Sequence, residues 1–253
     1  MRVFDSHFHC IDPRFHLVAA NDSFIPRPFP YRTYDQWMRQ IGIDLAGGII
    51  VAGSFQGVST DFLQLIPEIK AQFHRQYGAV INLDPRLSDQ QLIHLKDAGV
   101  VGIRLNFVRG NTATPTALDR LARRIYDLAG WTTEVYTDAE SLHRLLPVLA
   151  KLPAVAVNHV GYQKAAIADL YRLADNGVKV KASGLGRLDF DPWPVLEKIN
   201  QINPTALMFG SDFPGTRIKR IFNSTDLRHF QTLFAPAAQQ RIFYDNAHQF
   251  YFH

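Results

Sequence analysis

Three short segments hold the residues whose types and spacing could do chemistry. They are Asp5-Ser-His7-Phe-His9, Asn158-His159-Val-Gly161 and Gly210-Ser-Asp212-Phe-Pro214. Side chains of a strand alternate with a period of two, so His7 and His9 are expected to share a face, with Asp5 on the same side. Two neighbouring imidazoles can hold a divalent ion, or orient a water and a carbonyl. A carboxylate such as Asp212 can take a proton from that water. His159 alone would more often be a core residue, and Asp212 alone a helix cap. The three segments gain meaning only if the fold brings them to one place.

Other residues could hold a substrate. Arg104, in Gly102-Ile-Arg104-Leu-Asn106, offers a planar fork for a carboxylate, with Arg109 close by. Glu134 and Tyr136 alternate onto one face of a later apolar run. Ser54 closes an earlier run, Arg187 follows another, and Thr216 and Arg217 follow Asp212. Cys10 adjoins His9, but the period of two turns it away, so it reads as packing. The Arg120, Arg123 and Arg124 set reads as a solvated helix face. There is no G-x-S-x-G and no C-x-x-C.

The elements that must position these residues can be read from periodicity. Eight short runs rich in Val and Ile recur: Val3–His9, Gly48–Ala52, Ala79–Leu83, Gly102–Asn106, Thr133–Thr137, Ala154–His159, Lys179–Ser183 and Leu207–Ser211. Such runs fit strands buried on both faces, as in parallel sheets. Helical patterns lie between them. Thr33-x-x-Gln36 and Ser88-x-x-Gln91 are capping-box candidates. Tyr34, Trp37, Met38 and Ile41 form one stripe, stopped by Gly42. Leu118, Leu121, Ile125 and Leu128 form a second, and Ile167, Leu170, Tyr171 and Ala174 a third. Pro67 and Pro147 sit inside helical patterns and predict kinks or breaks. The aromatic C-terminus, from Phe243 to Phe252, reads as a docked terminal helix.

Eightfold strand–helix alternation argues for one closed parallel barrel, a (β/α)8 TIM barrel, over an open sheet. The whole chain, residues 1–253, reads as one such α/β domain, close to the typical barrel length of about 250 residues. A barrel collects all its strand ends at one mouth, which makes His7, His9, His159 and Asp212 a convergent cluster. The connection Ile11–Arg32, with Pro13, Pro26, Pro28 and Pro30, is long enough to be read as a lid over that mouth.

Composition removes other classes. Hydrophobic residues make up 47% and charged residues 20%, an ordinary globular balance. The formal charge is +4 with basic residues dispersed, so nucleic acid is not expected as a partner. No stretch reads as a signal peptide or a membrane span, so no membrane partner is expected. One cysteine forbids an intrachain disulfide and fits a reducing, cytoplasmic setting. The partner expected is a small-molecule substrate. The sequence does not fix the oligomeric state.

The ordered set D-x-H-x-H, H-x-G and G-S-D-x-P resembles the amidohydrolase superfamily. More narrowly, the chain resembles the amidohydrolase-related branch that contains 2-pyrone-4,6-dicarboxylate lactonase and sugar lactonases. The likeness runs nearly end to end, through Val101-Gly-Ile-Arg104-Leu-Asn106, Trp131 to Tyr136, Asn203-Pro204 and Asn246-Ala247. It implies a barrel hydrolase in which His7, His9, His159 and Asp212 polarise the substrate carbonyl and activate water, with Asp212 as general base. Ser54, Arg104, Tyr136 and Arg187 match substrate positions, and Arg217 joins them as a candidate anchor. The resemblance also implies either no cofactor or one divalent metal, zinc first, held by His7, His9 and Asp212, with His159 or Glu134 as an additional ligand. No histidine stands on the fifth strand, which argues against a binuclear centre.

The chain departs from the branch at Asn158-His-Val-Gly161-Tyr162, where an arginine is common in place of Tyr162. It departs again at Gly215, where a histidine is common, and at Ala52-Gly53-Ser54. These changes touch the substrate and leave the hydrolytic residues in place. The leading expectation is hydrolysis of a carboxylated lactone or related cyclic ester. The alternatives are metal-dependent decarboxylation of a small unsaturated acid, and a non-catalytic barrel that binds a small acid.

Overall fold

The computed structural model describes residues 2–19 and 24–252. Eight strands follow one another around a single sheet in sequence order: β1 (Arg2–Phe8), β2 (Asp44–Val51), β3 (Gln76–Ile81), β4 (Val100–Asn106), β5 (Thr132–Tyr136), β6 (Val155–Val157), β7 (Lys179–Ala182) and β8 (Leu207–Phe209). All seven ladders are parallel. The helices are α1 (Tyr31–Gln40), α2 (Leu65–Phe73), α3 (Asp89–Asp97), α4 (Pro115–Ala129), α5 (Ala139–Leu149), α6 (Ile167–Asp175), α7 (Pro192–Ile202), α8 (Ser224–Leu233), α9 (Pro236–Gln240) and α10 (Asn246–Tyr251). The expected (β/α)8 barrel is the observed fold. Among the described residues no helix is long and apolar enough to cross a membrane.

The seam between β8 and β1 closes without a regular ladder. The Asp212 N–H donates to the His7 carbonyl at 2.8 Å, and the His9 N–H donates to the Phe213 carbonyl at 2.8 Å. Two of the three chemical segments therefore form the closing stitch of the barrel.

Two apolar layers flank the sheet. The larger lies between strands and helices and includes Phe8, Tyr34, Leu118, Ile125, Leu142, Leu170 and Phe230. The smaller fills the barrel interior with Phe4, Ile49, Val51, Val80, Ala156 and Met208, and Ala247 and Tyr251 of α10 join it. The aromatic C-terminus is thus a docked helix, as its sequence suggests. The Asn246 amide fixes it by donating to the carbonyls of Pro204 and Leu207 at 3.1 and 2.8 Å.

Local signals fare unevenly. The Ser88 box forms as expected, with the Ser88 N–H donating to Gln91 Oε1 at 2.8 Å. The Thr33 box does not form. Pro30, extended at φ −70° and ψ 162°, starts α1 three residues earlier and accepts from the N–H groups of Thr33 and Tyr34. Gly42 follows α1 at φ +89°, a backbone that glycine alone adopts cheaply. Neither expected proline break occurs as read. Pro67 lies in the first turn of α2, where a missing N–H costs nothing, and α5 continues through Pro147 to its last turn.

The long connection after β1 is partly tied down. Ile11 and Phe29 form an antiparallel bridge, and the Val18 N–H donates to the Phe55 carbonyl at 2.8 Å. The middle of the expected lid, residues 20–23, lies outside the described residues.

Candidate active site

At the end of β1 the pairing with β2 shifts register between Asp5 and Phe8. An irregularity of one residue reverses which face the following side chains take. His7 and His9 thus point into the barrel together, as expected, but Asp5 does not join them. Its carboxylate meets the Tyr34 hydroxyl of α1 at 2.9 Å and accepts the N–H groups of His7 and Ser211, both at 3.0 Å. Asp5 pins the seam from outside. Burial raises its pKa to about 6, against the pull of these hydrogen bonds. Cys10 is buried in the outer layer, away from the site, and burial pushes its thiol pKa upward.

His7, His9 and Asp212 converge. The Nε2 atoms of His7 and His9 lie 3.7 and 3.6 Å from Asp212 Oδ1. His7 Nε2 and Asp212 Oδ1 are buried and have no hydrogen-bond partner. Arg187 takes the other Asp212 oxygen, its Nε donating to Oδ2 at 2.7 Å. Burial alone would raise the Asp212 pKa, but Arg187, His159 and His9 outweigh it and hold the carboxyl far below its ordinary value. Asp212 is ionised at any working pH. Burial lowers the pKa of His7, and the cations Lys181 and Arg104 and the neighbouring His159 lower it further. His7 is therefore neutral.

His159 packs against His7 and Tyr136, each pair of ring centroids 4.8 Å apart, and its Nδ1 meets Ser183 Oγ at 3.0 Å. The backbone from His159 to Tyr162 holds four consecutive positive φ angles, and Asp212 has φ +56°. For Val160, at φ +49°, this is strained. Such strain collects where a structure must hold side chains in set positions. Glycines make the room. A methyl on Gly210 would fall 2.8 Å from His7 Cβ, and one on Gly184 would fall 2.6 Å from His159 Nδ1.

The mouth above this cluster is lined by His9, His159, Ser54, Arg104, Tyr136, Arg187 and Arg217, together with Asn106, Arg109, Phe24 and Thr216. Every expected substrate residue is there. His7 and Asp212 are fully buried beside them. The free space is about 40 Å³, little more than one water needs. Phe24, from the long connection, lies over the mouth with the Arg217 guanidinium 4.2 Å from its ring centre. Arg187 lines the mouth and also gives its Nε to Asp212.

The sequence reading missed Lys181. Its fully buried ammonium donates to the Ser6 carbonyl and to Glu134 Oε1, both at 2.6 Å, and lies 3.5 Å from His7 Nδ1. Burial lowers its pKa to about 8 against the opposing pull of Glu134, which leaves it charged at neutrality. Tyr251 donates to the same Glu134 oxygen at 2.6 Å. With its amide nitrogen turned toward Glu134, Asn158 donates to Oε2 at 3.0 Å and accepts from Arg104 Nε at 3.2 Å. Glu134 is thus engaged by Lys181, Tyr251 and Asn158 and stands apart from the His7/His9/Asp212 group. The only signal in the sequence was a lysine at an alternate position of a strand buried on both faces.

The three donor atoms of His7, His9 and Asp212 lie within 4.8 Å of one another, as a site for one divalent ion requires. Neither His159 nor Glu134 belongs to this set. The surroundings fit an ion poorly. A metal-bound histidine normally gives its second ring N–H to an acceptor. His9 does so, its Nδ1 lying 2.6 Å from the Val51 carbonyl, but the second nitrogen of His7 faces a cation. The buried cations Lys181 and Arg104 already act on His7. A dication bound to His7 would lie against those two cations.

A parallel barrel with a strained, buried acid–base cluster at the C-terminal ends of β1, β6 and β8 defines a barrel enzyme. The amidohydrolase family profile matches residues 4–252, and the chain belongs to that family, a hydrolase by class. No curated protein matches it. Solved structures share the fold over nearly the full length. A protein from Acinetobacter baumannii, described as a probable 2-pyrone-4,6-dicarboxylic acid hydrolase and solved with citric acid bound, has a TM-score of 0.81 at 19% identity over 99% of both chains. An Agrobacterium tumefaciens protein gives 0.79 at 21%, over 98% of this chain and 95% of that one. A Pseudomonas putida protein, provisionally given the same dicarboxylic acid hydrolase activity, gives 0.78 at 23%, over 98% and 97%.

Proposed function

We propose that the protein opens a lactone or related cyclic ester of a small carboxylated substrate by attack of water. The observation that carries this is the unpartnered Asp212 Oδ1, an ionised acceptor facing His9 Nε2 beside a mouth lined with arginines. His9 Nδ1 meets a carbonyl, which only accepts, so the proton is on Nδ1 and the Nε2 lone pair faces the cluster. A water between His9 Nε2 and Asp212 Oδ1 can give one hydrogen to each and keep an oxygen lone pair for attack.

Arg187 keeps Asp212 ionised but weakens it as a base. Proton transfer to so weak a base becomes favourable late, as the water oxygen bonds to the carbonyl carbon and its proton turns acidic. His159 and the neighbouring cations face the charge that grows on the carbonyl oxygen, where preorganised donors act most strongly. Collapse of the tetrahedral intermediate breaks the ring C–O bond, and the proton held by Asp212 returns to the leaving oxygen. Arg104, with Ser54 and Tyr136, anchors the substrate carboxylate, and Arg217 supports it from the last loop. No step needs a metal. The names of two structural neighbours, each provisionally described as a dicarboxylic acid hydrolase, agree with this substrate class.

The test is product identity on two sets of compounds, carboxylated lactones and small unsaturated carboxylic acids. Ring-opened acid from the first set is expected. Carbon dioxide from the second, with the lactones untouched, would replace hydrolysis by decarboxylation.

A further inference from the structure

The two histidines of the first strand look alike in sequence but meet opposite neighbours. The Nδ1 atom of His9 lies 2.6 Å from the Val51 carbonyl. The Nδ1 atom of His7 lies 3.5 Å from the Lys181 ammonium, which also donates to the Ser6 carbonyl and to Glu134. A carbonyl can only accept a hydrogen bond, and an ammonium can only donate one. A neutral imidazole carries one proton, and the group at one nitrogen decides where it sits.

We infer that Lys181 is a positioning residue that fixes His7 as the Nε2–H tautomer, so that the H-x-H pair works with opposite polarity. His9 presents a lone pair to the cluster and His7 presents a proton. The His7 Nε2–H then faces Asp212 Oδ1, 3.7 Å away, across a gap where neither atom has a hydrogen-bond partner. A water in that gap would receive a hydrogen bond from His7 and give one to His9 or Asp212, whereas a substrate carbonyl oxygen there would only accept from His7. The same proton blocks His7 Nε2 as a metal ligand. Glu134 completes the device. It holds Lys181 through Oε1 and, through Asn158, the Nε of Arg104, so one buried carboxylate braces both the tautomer-setting lysine and the candidate substrate anchor.

The inference deepens the hydrolytic reading, yet it can be tested without substrate. Two-bond nitrogen–proton NMR of the neutral-pH protein distinguishes the tautomers of each histidine, with His7→Gln identifying the His7 signals. In the wild type, His7 is expected as Nε2–H and His9 as Nδ1–H. In Lys181→Met the Nδ1–H form of His7 should become populated. Because that variant leaves Glu134 buried and unpaired, a Lys181→Met/Glu134→Gln double variant, lacking both charges, provides the same reading in a neutral floor. Finding His7 as Nδ1–H in the wild type overturns the inference. So does an Nε2–H form that persists unchanged in the folded lysine variants. A protein that shows the opposed tautomers and yet leaves every lactone intact contradicts the hydrolytic reading alone.

Discussion

Asp212 combines properties that rarely meet in one carboxylate: full burial, an ion pair on one oxygen, and no partner on the other. Replacing it with Asn keeps the shape and removes the proposed base. Asp212→Asn should lower kcat by about 10²–10⁴-fold, the usual worth of a positioned general base, with an unchanged circular dichroism spectrum. Arg104 is the proposed anchor of the substrate carboxylate. Arg104→Met should raise KM by about tenfold or more while kcat changes less, because a charge-assisted hydrogen bond to the substrate is lost. Steady-state kinetics on one carboxylated lactone separates the two outcomes. A kcat loss in Arg104→Met equal to that of Asp212→Asn would place Arg104 in the chemistry.

At the scale of elements, the seam between β8 and β1 holds the site, and Asp5 holds the seam. Its pKa is raised by burial to about 6 in the fold, against 3.8 unfolded. The fold thus favours the protonated form. That contribution is fully present below about pH 3.8 and is lost as the pH rises through about 6. The stability of the wild type relative to Asp5→Asn should therefore fall by up to about 3 kcal/mol between pH 3.5 and 7, since one pKa unit is worth about 1.4 kcal/mol. Urea unfolding of both proteins at the two pH values measures it, and a pH-independent difference would refute it. On the neighbouring strand end, Gly210→Ala drives a methyl toward His7 and Ser183. It should cost about 1–3 kcal/mol of stability and lower kcat by moving His7.

At the scale of the molecule, the C-terminal helix plugs the barrel and reaches the floor of the site through the Tyr251 hydroxyl on Glu134. Tyr251→Phe should destabilise the fold by about 1–3 kcal/mol with kcat within a few-fold of wild type, as removal of one donor from a buried carboxylate requires. Much of this architecture was legible beforehand. The eight apolar runs gave the strands, because a parallel barrel buries both faces of each one. His7 and His9 were correctly paired because both follow the register shift of β1. Asp5 was misplaced because nothing in Asp5-Ser-His7 marks that shift. Lys181 was missed because charge on a strand reads as an outward face, whereas a closed barrel turns alternate positions inward. The pairing of Arg187 with Asp212 was not legible because it joins two loops far apart in sequence.

Hydrolysis driven by Asp212 without a metal is tested most directly by proton release on carboxylated lactones by chelator-treated protein, wild type beside Asp212→Asn. Turnover by the wild type is expected to survive the chelator and nearly to vanish in the variant. Turnover lost to the chelator and restored by zinc, or an active Asp212→Asn, would contradict it.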